Sequence, residues 1–179
     1  MKFTIITALA IALTTVNAIS MNQRSPTTCV DDLDAMDRQL DVLSKVTKGW
    51  APITGYLGAL QAQQESNKLQ QVIESATTSC AHSSPVSEER TERALRKVHG
   101  MVPKAESVFD HVAAKKSDFD SVPLVTPLIK RNMRTMHAKM IALKQSVVNS
   151  AAESHRHQLQ SYLDRIDAAF ERAYGVYGR

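Results

Sequence analysis

Apolar residues recur at steps of three and four along most of the chain, the spacing of one face of an α-helix. Five such runs can be followed. The first, about 29–48, carries Leu33, Met36, Leu40, Leu43 and Val46 or Thr47. After the turn Gly49-Trp50-Ala51-Pro52, a second reaches about Ser79 through Ile53, Leu57, Leu60, Leu69, Val72, Ile73 and Ala76. A third, with Ser84 as cap and Pro85 as first helical residue, carries Ala94, Leu95, Val98, Val102, Ala105, Phe109 and Val112. The fourth follows Pro123 with Leu124, Leu128, Met133, Met136, Met140, Leu143 and Val147. The fifth carries Leu159, Tyr162 or Leu163, Ile166, Ala169, Phe170 and Ala173, and stops at Gly175. No stretch alternates with the period of a strand, and no segment repeats. The pattern predicts an all-α protein, a single five-helix up-and-down bundle over residues 29–175.

Local signals refine this outline. Asp118-Phe119-Asp120-Ser121-Val122-Pro123 reads as a turn, because Asp and Ser bond nearby backbone and Val122 is held extended by the proline after it. Ser150-Ala151-Ala152-Glu153 has the spacing of a capping box. Gly100 and Pro103 interrupt the third run and predict a kink or a break, with room between helices there. Gly55 and Gly58 allow a close backbone approach at the start of the second. Asp34–Arg38 and Asp41–Lys45 are spaced to pair along the first helix, whose acidic face reads as solvated rather than metal-binding. The fourth helix is basic: Lys130, Arg131, Arg134, Lys139 and Lys144 lie opposite its stripe, and no acidic residue occurs from Val122 to Ala152.

The first residues change the compartment. Lys2, the apolar run Phe3–Leu13 and Val16-Asn17-Ala18 form a secretory signal, so residues 1–18 are expected to be removed and 19–28 to form a flexible lead-in. Nothing else is long and apolar enough to span a membrane, and no lipid-anchor tail is visible. A secreted location favours a disulfide between Cys29 and Cys80. They fall at the start of the first helix and the end of the second, which an antiparallel hairpin places side by side. The net charge of +4, with Lys2 among the positives, is too small for a nucleic-acid footprint, and 5% aromatics are too few for a base-stacking surface.

Catalytic chemistry is missing. There is no nucleophile elbow, no phosphate-cradling glycine loop and no His-Glu-x-x-His. His155 and His157 are two apart and face different ways on a helix. No residue set calls for a metal or a cofactor. What stands out is the row Met133, Met136, Met140: methionine fills irregular core gaps and also suits surfaces that accept varied apolar ligands. If the bundle holds an apolar ligand, Leu57, Leu60, Phe109, Met133, Met136, Met140 and Phe170 are the lining candidates, with Lys130 or Arg134 placed to meet a carboxylate at the rim.

Three stretches carry a resemblance: CVDDLDAMDRQLDVLSKVTKGW at 29–50, HVAAKKSDFDSVPLVTPLIKRNM at 111–133 and YLDRIDAAFERAY at 162–174. From about Val30 to Tyr174 the chain resembles the fungal hydrophobic surface binding protein A family, which includes antigenic cell wall galactomannoproteins. The resemblance implies a secreted or wall-associated helical bundle without enzymatic activity. Its partners would be fatty acids, other lipids or hydrophobic surfaces, with recruitment of a secreted polyester- or lipid-degrading hydrolase in some members. Related mannoproteins hold fatty acids in an apolar space between helices. The chain departs from the wall-bound members in having no Ser/Thr-rich anchored tail, and the Cys29/Cys80 pair is not a family hallmark. The alternative is a secreted interaction module or recruiter that docks an acidic partner through the basic face of the fourth helix, with no internal ligand.

Overall fold

The computed structural model describes residues 28–81 and 86–178. The leader, most of the lead-in and the Ser84/Pro85 cap lie outside the described residues. The described chain is all-α: five long helices, α1 (Cys29–Gly49), α2 (Gly55–Ala81), α3 (Glu88–Ala114), α5 (Val125–Ser150) and α6 (Glu153–Val176), with a short α4 (Lys116–Asp120) in the predicted turn. A single 3-10 turn, Pro52–Thr54, leads into α2.

Thr28 opens α1 with a capping box. Its hydroxyl accepts from the Asp31 N–H, and the Asp31 carboxylate accepts from the Thr28 N–H at 3.1 Å. Ser87 caps α3 by accepting from the Arg90 N–H. The box expected at Ser150–Glu153 does not form. Helix α5 runs through Ser150, whose hydroxyl donates to the Val147 carbonyl, and the N–H of Ala152 donates instead to Thr91 on α3. Pro103 does not split α3. It sits on the exposed face, where the missing N–H costs least, while Met101, Val102 and Ala105 stay buried. Leu124 is also displaced from its expected place: it has φ +68° and is 69% exposed, and Val125 takes the buried position.

Each long helix reverses the one before it. Antiparallel α1 and α2 are fastened by Cys29–Cys80, with Cα atoms 4.7 Å apart, and by Gln39, whose amide donates to Glu65. Antiparallel α5 and α6 meet through His137–Asp167 and Lys144–Asp164. The remaining neighbours run parallel: α1 with α3 (Asp34–Lys97, Asp41–Lys104), α3 with α6 (Glu88–Ser154, Glu106–Arg165) and α2 with α5 (Gln70–Asn132, Glu74–Lys139). The five long helices therefore close a ring in the order α1, α3, α6, α5, α2. The α1 aspartates are not bound to Arg38 and Lys45 as their spacing suggested. Parallel packing sets Lys97 and Lys104 beside them, and Lys104 bridges Asp37 at 2.8 Å and Asp41 at 2.9 Å.

The core has two parts. One lies toward the disulfide, around Leu33, Leu69, Ile73, Val98 and Leu159. The other fills the far end, around Trp50, Phe119, Val125, Phe170 and Tyr177. Trp50 packs on Phe119 with ring centres 4.4 Å apart, and its indole N–H donates to the Gly55 carbonyl. Tyr177 donates its phenol proton to the Val112 carbonyl at 2.6 Å, and burial raises its pKa far above the ordinary value.

Candidate ligand-binding site

Two cavities, of about 80 Å3 and about 70 Å3, lie inside the ring. Leu43, Val108, Phe109 and Met136 belong to both walls, so the spaces abut. The first runs toward the disulfide between Leu33, Met36, Leu40, Ile73 and Met101. The second runs to the far end between Trp50, Phe119, Met133 and Phe170. From Leu33 to Trp50 along α1 the pair spans about 25 Å at 1.5 Å per residue. Half of a bilayer's hydrocarbon core, the reach of one acyl chain, is about 15 Å. Length is available; volume is not, since an engineered cavity of about 150 Å3 is filled by one benzene. An acyl chain would need the methionine-rich wall to move aside. Met36, Met101, Met133, Met136 and Met140 all line this space, and methionine is the side chain best able to repack.

Of the residues singled out in the sequence, Phe109, Met133, Met136, Met140 and Phe170 are brought together in these walls. Phe109 meets Phe170 edge-on at 5.4 Å. Leu60 lines neither cavity, and Leu57 is 79% exposed. Leu57, Ile53 and Leu124 all sit at the bundle end remote from the disulfide, where the first turns of α2 and α5 begin. Lys130 and Arg134 line neither cavity either. With Arg131 they remain outside any ion pair among the described residues, while Lys139 is held by Glu74 and Lys144 by Asp164, so the basic face of α5 is smaller than its sequence suggests.

The first cavity reaches the surface at the α5–α6 seam. Ile141, 42% exposed, is part of its wall, as are Lys144 and Asp167. Lys144 Nζ lies 2.5 Å from Asp164 and 3.8 Å from Asp167. His137 Nε2 is 3.2 Å from Asp167 and 3.3 Å from Glu171, and its ring stacks on Phe170 at 4.6 Å. These pairs bridge the sparsest of the ring's seams. Among the described residues no helix is long and apolar enough to cross a membrane.

Other lining residues were not picked out in the sequence. Phe119 lies between two aspartates in a segment that reads as a turn, yet it is buried beside Trp50. Thr47, Gln63, Ser66 and Asn132 line the second cavity and supply its polar atoms. Only Thr47 falls on a helical stripe that could be read from spacing.

A comparison with curated proteins finds no match. Among solved structures, Afmp4p in complex with palmitic acid is similar over 84% of this chain and 97% of its own, with TM-score 0.79 and 24% identity. Ligand binding domain 1 of Penicillium marneffei MP1 protein, complexed with arachidonic acids, is similar over 83% of this chain and 95% of its own, with TM-score 0.74 and 13% identity. Ligand binding domain 2 of that protein, complexed with multiple arachidonic acids, is similar over 84% and 92%, with TM-score 0.71 and 13% identity. These likenesses establish the shared fold. The profile of hydrophobic surface binding protein A matches residues 26–149, more than half of the sequence. The chain belongs to the hydrophobic surface binding protein A family.

Proposed function

We propose that this protein is a secreted, non-enzymatic carrier that takes a fatty acid or another single-chain lipid into the ring of helices. The observation that carries the reading is the pair of abutting apolar cavities along the bundle axis, lined by five methionines and opening at the α5–α6 seam. Family membership supports it, and so do the fatty acids named with the structural neighbours. Burial drives uptake: apolar area removed from water contributes about 25 cal/mol per Å2. The leader at 1–18 supports secretion.

Trp50 lines the second cavity and is the chain's single tryptophan, so its emission reports occupancy. Titration with palmitate should give saturable one-to-one binding by fluorescence and the matching mass in native mass spectrometry. Binding should persist at 1 M salt, where charges are screened within about 3 Å. Absence of saturation and of a bound mass, with adsorption to hydrophobic beads intact, would exclude an internal site.

A further inference from the structure

The second cavity is apolar except along one strip of its wall. Thr47 of α1 and Ser66 of α2 line it and are only 5% and 6% exposed. Hydroxyls inside helices commonly turn back to the carbonyl one turn earlier. Thr77, Thr78 and Thr135 do so here, onto Ile73, Glu74 and Arg131. The hydroxyls of Thr47 and Ser66 bond to no group among the described residues, neither oxygen is sealed within the packing, and both residues line the free space. A hydroxyl with no protein partner can both donate to and accept from a polar guest, which marks this strip as the place for one. Gln63 lines the same wall, as does Asn132, whose carbonyl oxygen accepts from Gln70 at 2.5 Å and whose amide N–H groups are left to donate.

No charged side chain lines this cavity. Lys144 and Asp167 line the abutting first cavity, where they stand together at the α5–α6 seam, and other charges stand behind the wall of the second. Lys115 donates to the Trp50 carbonyl, with its ammonium 6.0 Å from the indole centre. His137 stacks on Phe170 and faces Asp167 and Glu171 of α6. Helix α3 contributes only Val108, Phe109 and Val112. An ionised carboxylate brought here would lose its hydration without meeting a cation, so the neutral form is favoured.

We propose that Thr47 and Ser66 receive the polar head of the lipid in uncharged form, as an un-ionised carboxyl or a hydroxyl. This deepens the carrier reading above and rests on it. The alkyl chain would then pass Leu43 and Met136 into the wholly apolar part of the first cavity.

Decanoic acid, 1-decanol and decane, followed through Trp50 emission between pH 5 and pH 8, test the proposal. Decanol should bind alike at every pH. Decanoic acid should weaken by about tenfold per unit once the pH exceeds its own pKa. The double variant Thr47→Val/Ser66→Ala should weaken acid (at pH 5) and alcohol by about tenfold, the worth of two ordinary hydrogen bonds, and leave decane unchanged. Retained decane binding also reports that the variant is folded; if it is lost, each single substitution should cost the alcohol about threefold. Acid binding that ignores pH, or a variant that binds all three as the wild type does, overturns the proposal and leaves the carrier reading standing. If the wild type binds none of the three, both fall.

Discussion

Gly58 has no room for a side chain. A Cβ there would stand 2.3 Å from Thr54 Oγ1 and 3.1 Å from Trp50 Cδ1, beneath the ring that closes the far end of the core. Gly58→Ala should therefore destabilise by about 1–3 kcal/mol, as overpacking does. Gly49→Ala meets nothing within 4 Å and should lie within about 0.5 kcal/mol of wild type. Urea unfolding of the two variants separates these outcomes, and equal midpoints would refute the packing argument. Gly58 was legible in the sequence as a site of close approach, whereas its neighbour Leu57, read as part of the inward stripe and a lining candidate, is exposed. In the first turns of α2, Gly58 and Ala59 face the packed interior beside Trp50, and Leu57 falls on the exposed side. Leu124 failed because it precedes α5 as a left-handed residue and is exposed, so Val125 takes the buried position while Met133, Met136, Leu143 and Val147 keep the predicted phase. Thr47 could be read from its place on the first stripe, whereas Ser66 could not, because a lone hydroxyl residue between the apolar positions of α2 carries no periodic signal.

Titration acts at the same scale. The Asp31 carboxyl is held below its usual pKa by the Thr28 hydroxyl and backbone N–H. Asp120 is lowered by Lys116 and then Thr126, and Glu65 by Lys68 and then Gln39. A carboxyl whose pKa falls on folding stabilises the fold above its ordinary pKa, and that contribution is lost as pH falls through the lowered value. Unfolding midpoints should thus decline on acidification below about pH 5. Asp120→Asn should make that decline shallower, and an unchanged slope would show that the carboxyl contributes nothing.

Between elements, the disulfide and the ion pairs hold different seams. Cys29–Cys80 ties α1 to α2, and reduction should cost roughly 2–4 kcal/mol, seen as a lower melting temperature in reductant. A melting temperature insensitive to reductant would mean that the hairpin holds without its link. Across α1–α3, Asp37 and then Asp41 raise the Lys104 pKa. A raised lysine pKa stabilises below its ordinary value and loses that contribution only as pH rises through the raised one, so it is constant at neutral pH. Lys104→Ala should cost no more than about 1 kcal/mol, because the site is partly open to water. The five long helices and the disulfide could be read from spacing and compartment. Which helices become neighbours could not: α1 lies beside α3, and α2 beside α5, through pairings between residues about sixty positions apart. Intrahelical spacing cannot disclose such partners, which is why the α1 aspartates were assigned to the wrong cations.

At the scale of the molecule, a ring differs from a stack in how it yields. Parting one seam turns a closed tube into a continuous strip, with the other four contacts intact. The covalent link keeps α1 and α2 together, and the sparse α5–α6 seam lies elsewhere on the circumference, so the weak point and the riveted point are separate. A strip opened at α5–α6 would display as one sheet the side chains that otherwise enclose a guest. Guest and external surface then compete for the same lining, and occupancy becomes a lock on adhesion. Palmitate-loaded protein should coat hydrophobic beads more slowly than empty protein, and equal rates would show that adhesion uses only outward-facing residues such as Ile53 and Leu57.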